Sequence, residues 1–460
     1  MSLSPARAAA FDTLLRVERD AAFSGDTLDA RLRGVKKRAD AALATELVMG
    51  VLRWRRTLDF LVERFAARDV DSLDLEVLLA LRLGLYQLRY LSRVPVAAAV
   101  NESVELAKRG RKRSATGLIN AALRRASREP ALRGPLDALL PAGLSAAERM
   151  GILLSHPTGL VERWLARHGD VATRALLESN NRPARLTAGV LDAQEEGRVC
   201  AALAEDGFEP EPAPWLAGAI ALREVPQGGV AGARAIRDGR ILIQDEASQM
   251  IPLLLNVRTG ERVLDLCAAP GSKTARLARQ ATGQGWVVAA DVHLHRLRQM
   301  RDLLGQLSLR NVAAATLDGT ETLPFGLPFD RILVDAPCSG TGTLARNPEI
   351  RWRLRPGDLA ALAEKQKALL GNAFRQLAPG GRLVYSTCSL EPEENEQVVA
   401  SVLAAHPGAV VVSAEPALGP HLRPGVESRA FFGSDGFFRT LPWQHGTDGF
   451  FAAAIERRRS

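Results

Sequence analysis

Cysteine is scarce in this chain. Four occur in 460 residues, Cys200, Cys267, Cys338 and Cys388, and no two form a C-x-x-C pair. That excludes a disulfide framework and the common spacing of a structural zinc site, so reduced thiols and no metal are expected. Long apolar runs are also missing. No stretch of roughly eighteen uncharged apolar residues occurs, which excludes a helical membrane span. The opening residues, MSLSPARAAAFDTLLRVERD, lack the basic-then-apolar pattern of a secretory signal. A cytoplasmic protein without a membrane partner is the expectation. No solenoid-like repeat is found.

What is present is an uneven charge. The net charge is +8. Residues 1–130 hold 24 Lys and Arg against 16 Asp and Glu, and the other 330 residues hold 36 of each. The positive excess therefore lies in the N-terminal region, including RLRGVKKR (31–38) and KRGRKR (108–113). A basic region beside a neutral one is an electrostatic footprint for nucleic acid, although solubility alone would also explain it.

Apolar residues at spacings of three and four predict helices through residues 1–140, as in ATELVMGVLRWRRTLDFLVERF. Residues 141–235 mix helical stretches with short strand-like runs such as ARLTAGVL and AIALREV, and predict a small α/β linker subdomain. Cys200 falls on the apolar side of one of its helices. From 236 to 460 the pattern changes. Short β-rich runs (RVLDLCA, WVVAADV, VAAATLD, DRILVDAP, GRLVYSTCS) alternate with helical segments. Alternation of this kind predicts a doubly wound, parallel α/β sheet, with ligands outside the C-terminal strand ends. Asp265, Asp291, Asp318 and Asp335 all fall at such ends.

The segment VLDLCAAPGSKT (263–274) reads as strand, turn and helix start. Its small residues let backbone approach a ligand, and the helix start offers free N–H groups. It does not carry the Gly-Lys adjacency of a P-loop, nor G-x-G-x-x-G, so a nucleoside triphosphate and NAD are both disfavoured. Asp291 can accept from ribose hydroxyls and Asp318 from an adenine amino group, although any one aspartate is more simply a loop cap. Cys338 and Cys388 each follow a strand, in DAPCSG and YSTCS. One such thiol would be read as a small buried hydrophobe. Two, beside Asp335, suggest a reactive pair.

DLCAAPGSKT, DAPCSGTGTLARNPEIRW and YSTCSLEPEENE resemble, in order, the motifs of Sun/NOL-type RNA cytosine-C5 methyltransferases. IQDEASQM and the DGFF near the end extend the likeness from 236 to 457. The helical N-terminus is similar to the NusB-like RNA-binding domain of the ribosomal RNA small-subunit methyltransferase B (Sun/Fmu) branch. One departure is Ser272, where glycine is usual.

The resemblance implies a Rossmann-like methyltransferase core behind an all-helical NusB-like domain. It implies S-adenosylmethionine as cofactor, held by Cys267, Ala268, Ala269, Pro270, Gly271, Ser272, Lys273, Asp291, Asp318 and Asp335. The implied substrate is a cytosine of 16S ribosomal RNA, cytosine 967, taken before full subunit assembly by a monomeric protein.

Cytosine C5 is a poor nucleophile, and a thiolate adding to C6 makes C5 electron-rich. Spacing alone leaves open which cysteine attacks. The resemblance assigns attack to Cys388, release to Cys338 and contact with the cytosine edge to Asp335. Lys273 is expected to meet a cofactor carboxylate or lower a thiol pKa. LARNPEIRWRLRP (344–356) is read as an RNA-contacting loop, with an ordinary solvated loop at even odds. EPEENE is read as a helix start. Transfer RNA methylation and a non-catalytic RNA-binding assembly factor are the alternatives.

Overall fold

Apolar spacing of three and four carries through the first 180 residues, and in the computed structural model they coil into helices. The structure describes residues 3–226 and 229–459. Two units are distinguished: Met1–Pro183 with Leu344–Arg353, and Ala184–Thr343 with Leu354–Ser460. The helical unit thus continues past residue 140. It also takes up a segment from far along the chain.

In the first unit the helices are α1 (Pro5–Arg19), α2 (Ser24–Leu32), α3 (Arg38–Arg53), α4 (Arg55–Ala66), α5 (Leu75–Tyr90), α6 (Val96–Arg109), α7 (Thr116–Ser127), α8 (Ala146–Leu153) and α9 (Thr158–Asn180). Helix α5 is apolar nearly all round, and its residues Val77–Leu88 are buried in succession, so it forms the axis of the bundle. Each fully buried leucine there contributes roughly 1.5–3 kcal/mol. Helix α3 crosses α5 closely at Gly50, where a Cβ would lie 2.2 Å from the Tyr86 hydroxyl. Arg82, buried in α5, is held by Asp59 in two hydrogen bonds of 2.6 and 2.9 Å.

The second unit begins with a four-stranded sheet of β1 (Leu186–Val190), β2 (Pro210–Pro212), β3 (Ala219–Leu222) and β4 (Ile241–Ile243), in the order β2-β3-β1-β4. Helices α10 (Glu196–Glu205) and α11 (Arg234–Arg237) belong to this lobe, and α12 (Glu246–Met250) follows it. Cys200 is half-buried against the core of this lobe, and burial raises its pKa.

The large sheet then contains β5 (Arg262–Asp265), β6 (Trp286–Asp291), β7 (Val312–Thr316), β8 (Phe329–Asp335), β9 (Leu377–Thr387), β10 (Ala409–Val412), β11 (Phe438–Thr440) and β12 (Phe450–Arg457). Its helices are α13 (Ser272–Gln280), α14 (Leu294–Gln306), α15 (Asp358–Arg375) and α16 (Glu396–Ala405). The order is β10-β12-β9-β8-β5-β6-β7, with β11 against β12.

Strands β9, β8, β5, β6 and β7 are parallel, whereas β12 runs antiparallel to β9, β10 and β11. The expected parallel sheet is therefore mixed. Strand β12 pairs antiparallel with β9 and so needs no crossover helix to reach its place. Because β5 leads outwards to β6 and β8 leads the other way to β9, the winding reverses between β5 and β8. That switch point opens a crevice at the C-terminal strand ends.

Candidate active site

Strand β5 ends at Asp265, which is 1% exposed. Its Oδ2 accepts from Thr274 Oγ1 at 2.7 Å, and its Oδ1 has no partner among the described residues. Burial, only partly offset by Thr274, pushes its pKa up to about 7. The loop after β5 is strained. Cys267 has φ +118°, a conformation L-residues rarely adopt, and its N–H and that of Ala268 both donate to Ala290 O, at 3.0 and 2.9 Å. Burial pushes the Cys267 thiol up, and the side chain packs in the core. It stays a neutral packing group.

Gly271 caps α13 at φ +106°, where a Cβ would lie 2.4 Å from Met300 Cγ. Pro270 precedes it, and Ser272 opens the helix. Asp291, ending β6, accepts from Ala269 N at 3.2 Å and His293 N at 2.9 Å. Asp318, beyond β7, accepts from the Thr320 N–H and hydroxyl at 2.9 and 2.7 Å. Both aspartates therefore brace loops with at least one carboxylate oxygen.

Across the switch point, Asp335 ends β8. Its Oδ2 meets Lys273 Nζ at 2.7 Å, and its Oδ1 accepts from Ser386 Oγ at 2.7 Å. Lys273 thus pairs with Asp335, which sequence reading did not anticipate, and its ammonium lies 5.4 Å from the Phe450 ring centroid. Burial lowers its pKa, but the charges of Asp335, Cys388 and Asp265 outweigh that and raise it. Lys273 is held as a cation against Asp335.

The two cysteines come together from loops fifty residues apart. Cys338 Sγ and Cys388 Sγ are 3.4 Å apart. The shared hydrogen bond and burial push the Cys338 thiol well up. Gly342 stitches the loops: its N–H donates to Cys388 O at 2.9 Å and its carbonyl accepts from Gly449 N at 2.8 Å.

One sequence expectation is narrowed and another corrected. EPEENE leads into a helix only at its last residue. Residues 392–395 form turns and α16 begins at Glu396, while Glu394 is fully buried. Glu394, Ser386 and Gln366 were missed. The signal was present, as a glutamate and an asparagine six and seven residues after Cys388, but their spacing fits a helix start equally well.

LARNPEIRWRLRP is not an open RNA-contacting loop through its middle. Pro348–Trp352 form a short helix inside the helical unit, and Arg351 is 1% exposed. Its guanidinium donates to Asn180 O, Ser155 O and Asn181 Oδ1 at 3.0, 3.1 and 2.9 Å. Trp352 Nε1 donates to Leu52 O at 2.7 Å, and Arg55 sits 5.6 Å from its ring centroid.

The basic runs divide in the same way. In KRGRKR, Arg109 pairs with Asp12 at 2.6 Å and Lys112 with Asp74 at 2.9 Å. In RLRGVKKR, Arg31, Arg33, Lys36, Lys37 and Arg38 are all exposed. A cavity of about 790 Å³ bordered by Arg276, Arg310 and His421 contains none of the predicted site residues. No cluster of His, Cys, Asp and Glu suited to a metal occurs among the described residues.

A helical domain ahead of a mixed seven-on-path sheet with carboxylates and thiols at its switch point defines a NusB-plus-methyltransferase architecture. Residues 252–456 match the 16S rRNA methyltransferase RsmB/F family, and residues 4–128 match the NusB family. The probable ribosomal RNA small subunit methyltransferase B of Bacillus subtilis is 33% identical, with all of both chains covered. The ribosomal RNA small subunit methyltransferase B of Pseudomonas putida is 35% identical over 94% of this chain and 97% of that one. Among solved structures, a methyltransferase homolog protein from Pyrococcus horikoshii superposes with a TM-score of 0.57 at 29% identity, over 68% of this chain and 100% of that one. The chain belongs to the ribosomal RNA small subunit methyltransferase B family.

Proposed function

We propose that this protein transfers a methyl group from S-adenosylmethionine to C5 of a cytosine in small-subunit ribosomal RNA. Cytosine 967 of 16S rRNA is the target we expect. The observation that carries the reading is the pair of thiols 3.4 Å apart beside the Lys273–Asp335 ion pair, at the C-terminal ends of parallel strands.

The residues present fit the cofactor. S-adenosylmethionine carries cationic groups and hydroxyl and amino donors, and the crevice offers acceptors. These are the unpartnered, buried Asp265 Oδ1 and the carboxylates of Asp291 and Asp318 at the next two strand ends. Those residues and the loop Cys267–Lys273 would hold it, and it would supply an electrophilic methyl.

The remaining chemistry belongs to the chain. Lys273, paired with Asp335, supplies a fixed positive charge on the cytosine side of the site. The Cys388 sulfur forms a bond to cytosine C6, and electron density moves to C5. Asp335 would accept from the cytosine amino group and from N3–H of the N3-protonated ring, which makes C6 more electrophilic. Cys338, kept as a neutral thiol, assists the final step, in which a base takes the C5 proton and the C6–S bond breaks to return Cys388 as thiolate.

Purified protein should move a labelled methyl to unmethylated 16S rRNA. Cys388→Ala should abolish transfer, and Cys338→Ala should trap an RNA–protein adduct on a denaturing gel. An adduct with Cys388→Ala instead would reverse the roles. No transfer across a range of salt and RNA folding conditions would overturn the enzyme reading. Bisulfite mapping of 16S rRNA from cells lacking the protein identifies the nucleotide.

A further inference from the structure

We propose that Glu394 is a positioning residue whose buried carboxylate spans both thiol loops and holds the two sulfurs at reacting distance. The inference rests on the proposed roles of Cys338 and Cys388, and its geometry is independent of them. Glu394 is 0% exposed and forms no ion pair among the described residues. Such a carboxylate is costly unless hydrogen bonds replace its water. Four donors do so. Oε1 accepts from Ser339 N at 2.8 Å and Gln366 Nε2 at 3.0 Å, and Oε2 accepts from the hydroxyls of Ser339 and Ser389.

The donors are placed tellingly. Ser339 follows Cys338, and Ser389 follows Cys388. Gln366 also donates to Pro337 O at 2.9 Å, on the other side of Cys338. The neighbouring Asn395 accepts from Thr387 Oγ1 at 2.5 Å and donates to Ser389 O at 2.9 Å, so it flanks Cys388 in the same manner. Glu394 itself is fixed through its carbonyl, which accepts from Tyr385 OH at 2.5 Å. One side chain therefore sets both thiol-bearing turns. After the shared hydrogen bond and burial, its negative charge is a further reason that Cys338 stays protonated.

Glutamine can reproduce the hydrogen bonds. Its oxygen would accept from Ser339 N and Gln366, and its amide would donate to the two hydroxyls, which can turn to accept. Glu394→Gln thus keeps geometry and removes charge, whereas Glu394→Ala removes both.

The test has two readouts. Dibromobimane bridges two thiols only when they are close, and needs no RNA or cofactor. Wild type should be bridged between Cys338 and Cys388, read by mass spectrometry. Glu394→Ala should lose the bridge and lower the single-turnover rate by about 100-fold, the scale of an ångström misplacement. Its S-adenosylmethionine affinity should stay within about twofold, because the cofactor loop is on other strands.

Glu394→Gln should restore bridging and most of the rate, with the alkaline limb of the pH–rate profile moved to lower pH as Cys338 loses a negative neighbour. Wild-type bridging and rate in Glu394→Ala would overturn the inference, as would Glu394→Gln behaving as badly as alanine. If Glu394→Ala does not fold, the Ser339→Ala/Ser389→Ala pair takes its place, with the same expected loss and the same overturning result. Bridging in a wild type that methylates no RNA would sink the proposed function and leave this inference standing.

Discussion

Two buried charges without an opposite partner can be compared, one in each unit. Arg351 in the helical unit is a cation surrounded by backbone carbonyls, and Glu394 in the sheet unit is an anion surrounded by N–H and O–H donors. Both come from motif stretches that look like polar surface. Among the described residues neither forms an ion pair, and each is held by neutral dipoles from several segments, although Arg351 Nε has no partner there. A charged group of this kind fixes several chain segments at once, because each hydrogen bond lost leaves a buried dipole unpaired. The difference lies in what is fixed. Arg351 joins helix ends, and Glu394 joins two turns that each carry a thiol.

The strongest way to break this comparison is Arg351→Ala. It should destabilise the helical unit by about 3–5 kcal/mol, since several buried carbonyls lose their donor together. Hydrogen exchange at α3 and α9 would register it, and unchanged protection would contradict the pinning role. Next, Gly342→Ala would put a Cβ 2.2 Å from Gly449 O and 2.9 Å from Cys388 O, both backbone atoms that cannot turn aside. A cost of about 1–3 kcal/mol is expected, with loss of dibromobimane bridging.

Asp265→Asn sharpens the picture through pH. The folded pKa of Asp265 is raised to about 7 from its ordinary value of 3.8, so the folded state binds the proton more tightly. Its contribution is fully present below the unfolded pKa and is lost as pH rises through about 7. Wild type should therefore lose stability relative to Asp265→Asn between pH 4 and 7, by ~2 kcal/mol and at most ~4. A pH-independent difference in melting temperature would refute the shift. The smallest effect is expected from Lys36→Glu/Lys37→Glu on the exposed basic turn. It should weaken RNA binding several-fold and flatten its salt dependence without altering bridging. Unchanged affinity would remove this turn from the RNA surface.

Much of the site was legible because its parts are local. A strand followed by a small-residue turn and a helix start is written within VLDLCAAPGSKT, and aspartates at successive strand ends follow from the same alternation. Cys338 and Cys388 could be marked as strand-end thiols for that reason. The Lys273–Asp335 pair was not legible. Its members are 62 residues apart, and meet only because β5 and β8 are neighbours across the switch point. The true place of Arg351 was hidden for a like reason, since its acceptors at 155, 180 and 181 lie far back along the chain.

The sequence by itself determined the element types, which residues stand at the strand ends, and the family, because periodicity and motifs are properties of neighbouring residues. The tertiary structure alone decided which groups face each other. It put β12 antiparallel beside β9, withdrew Arg351 and Trp352 into the helical unit, and closed two turns on Glu394. The physical reason is the same in each case. A buried polar atom takes whatever partner the packing brings within about 3 Å, and that partner need not be near in sequence.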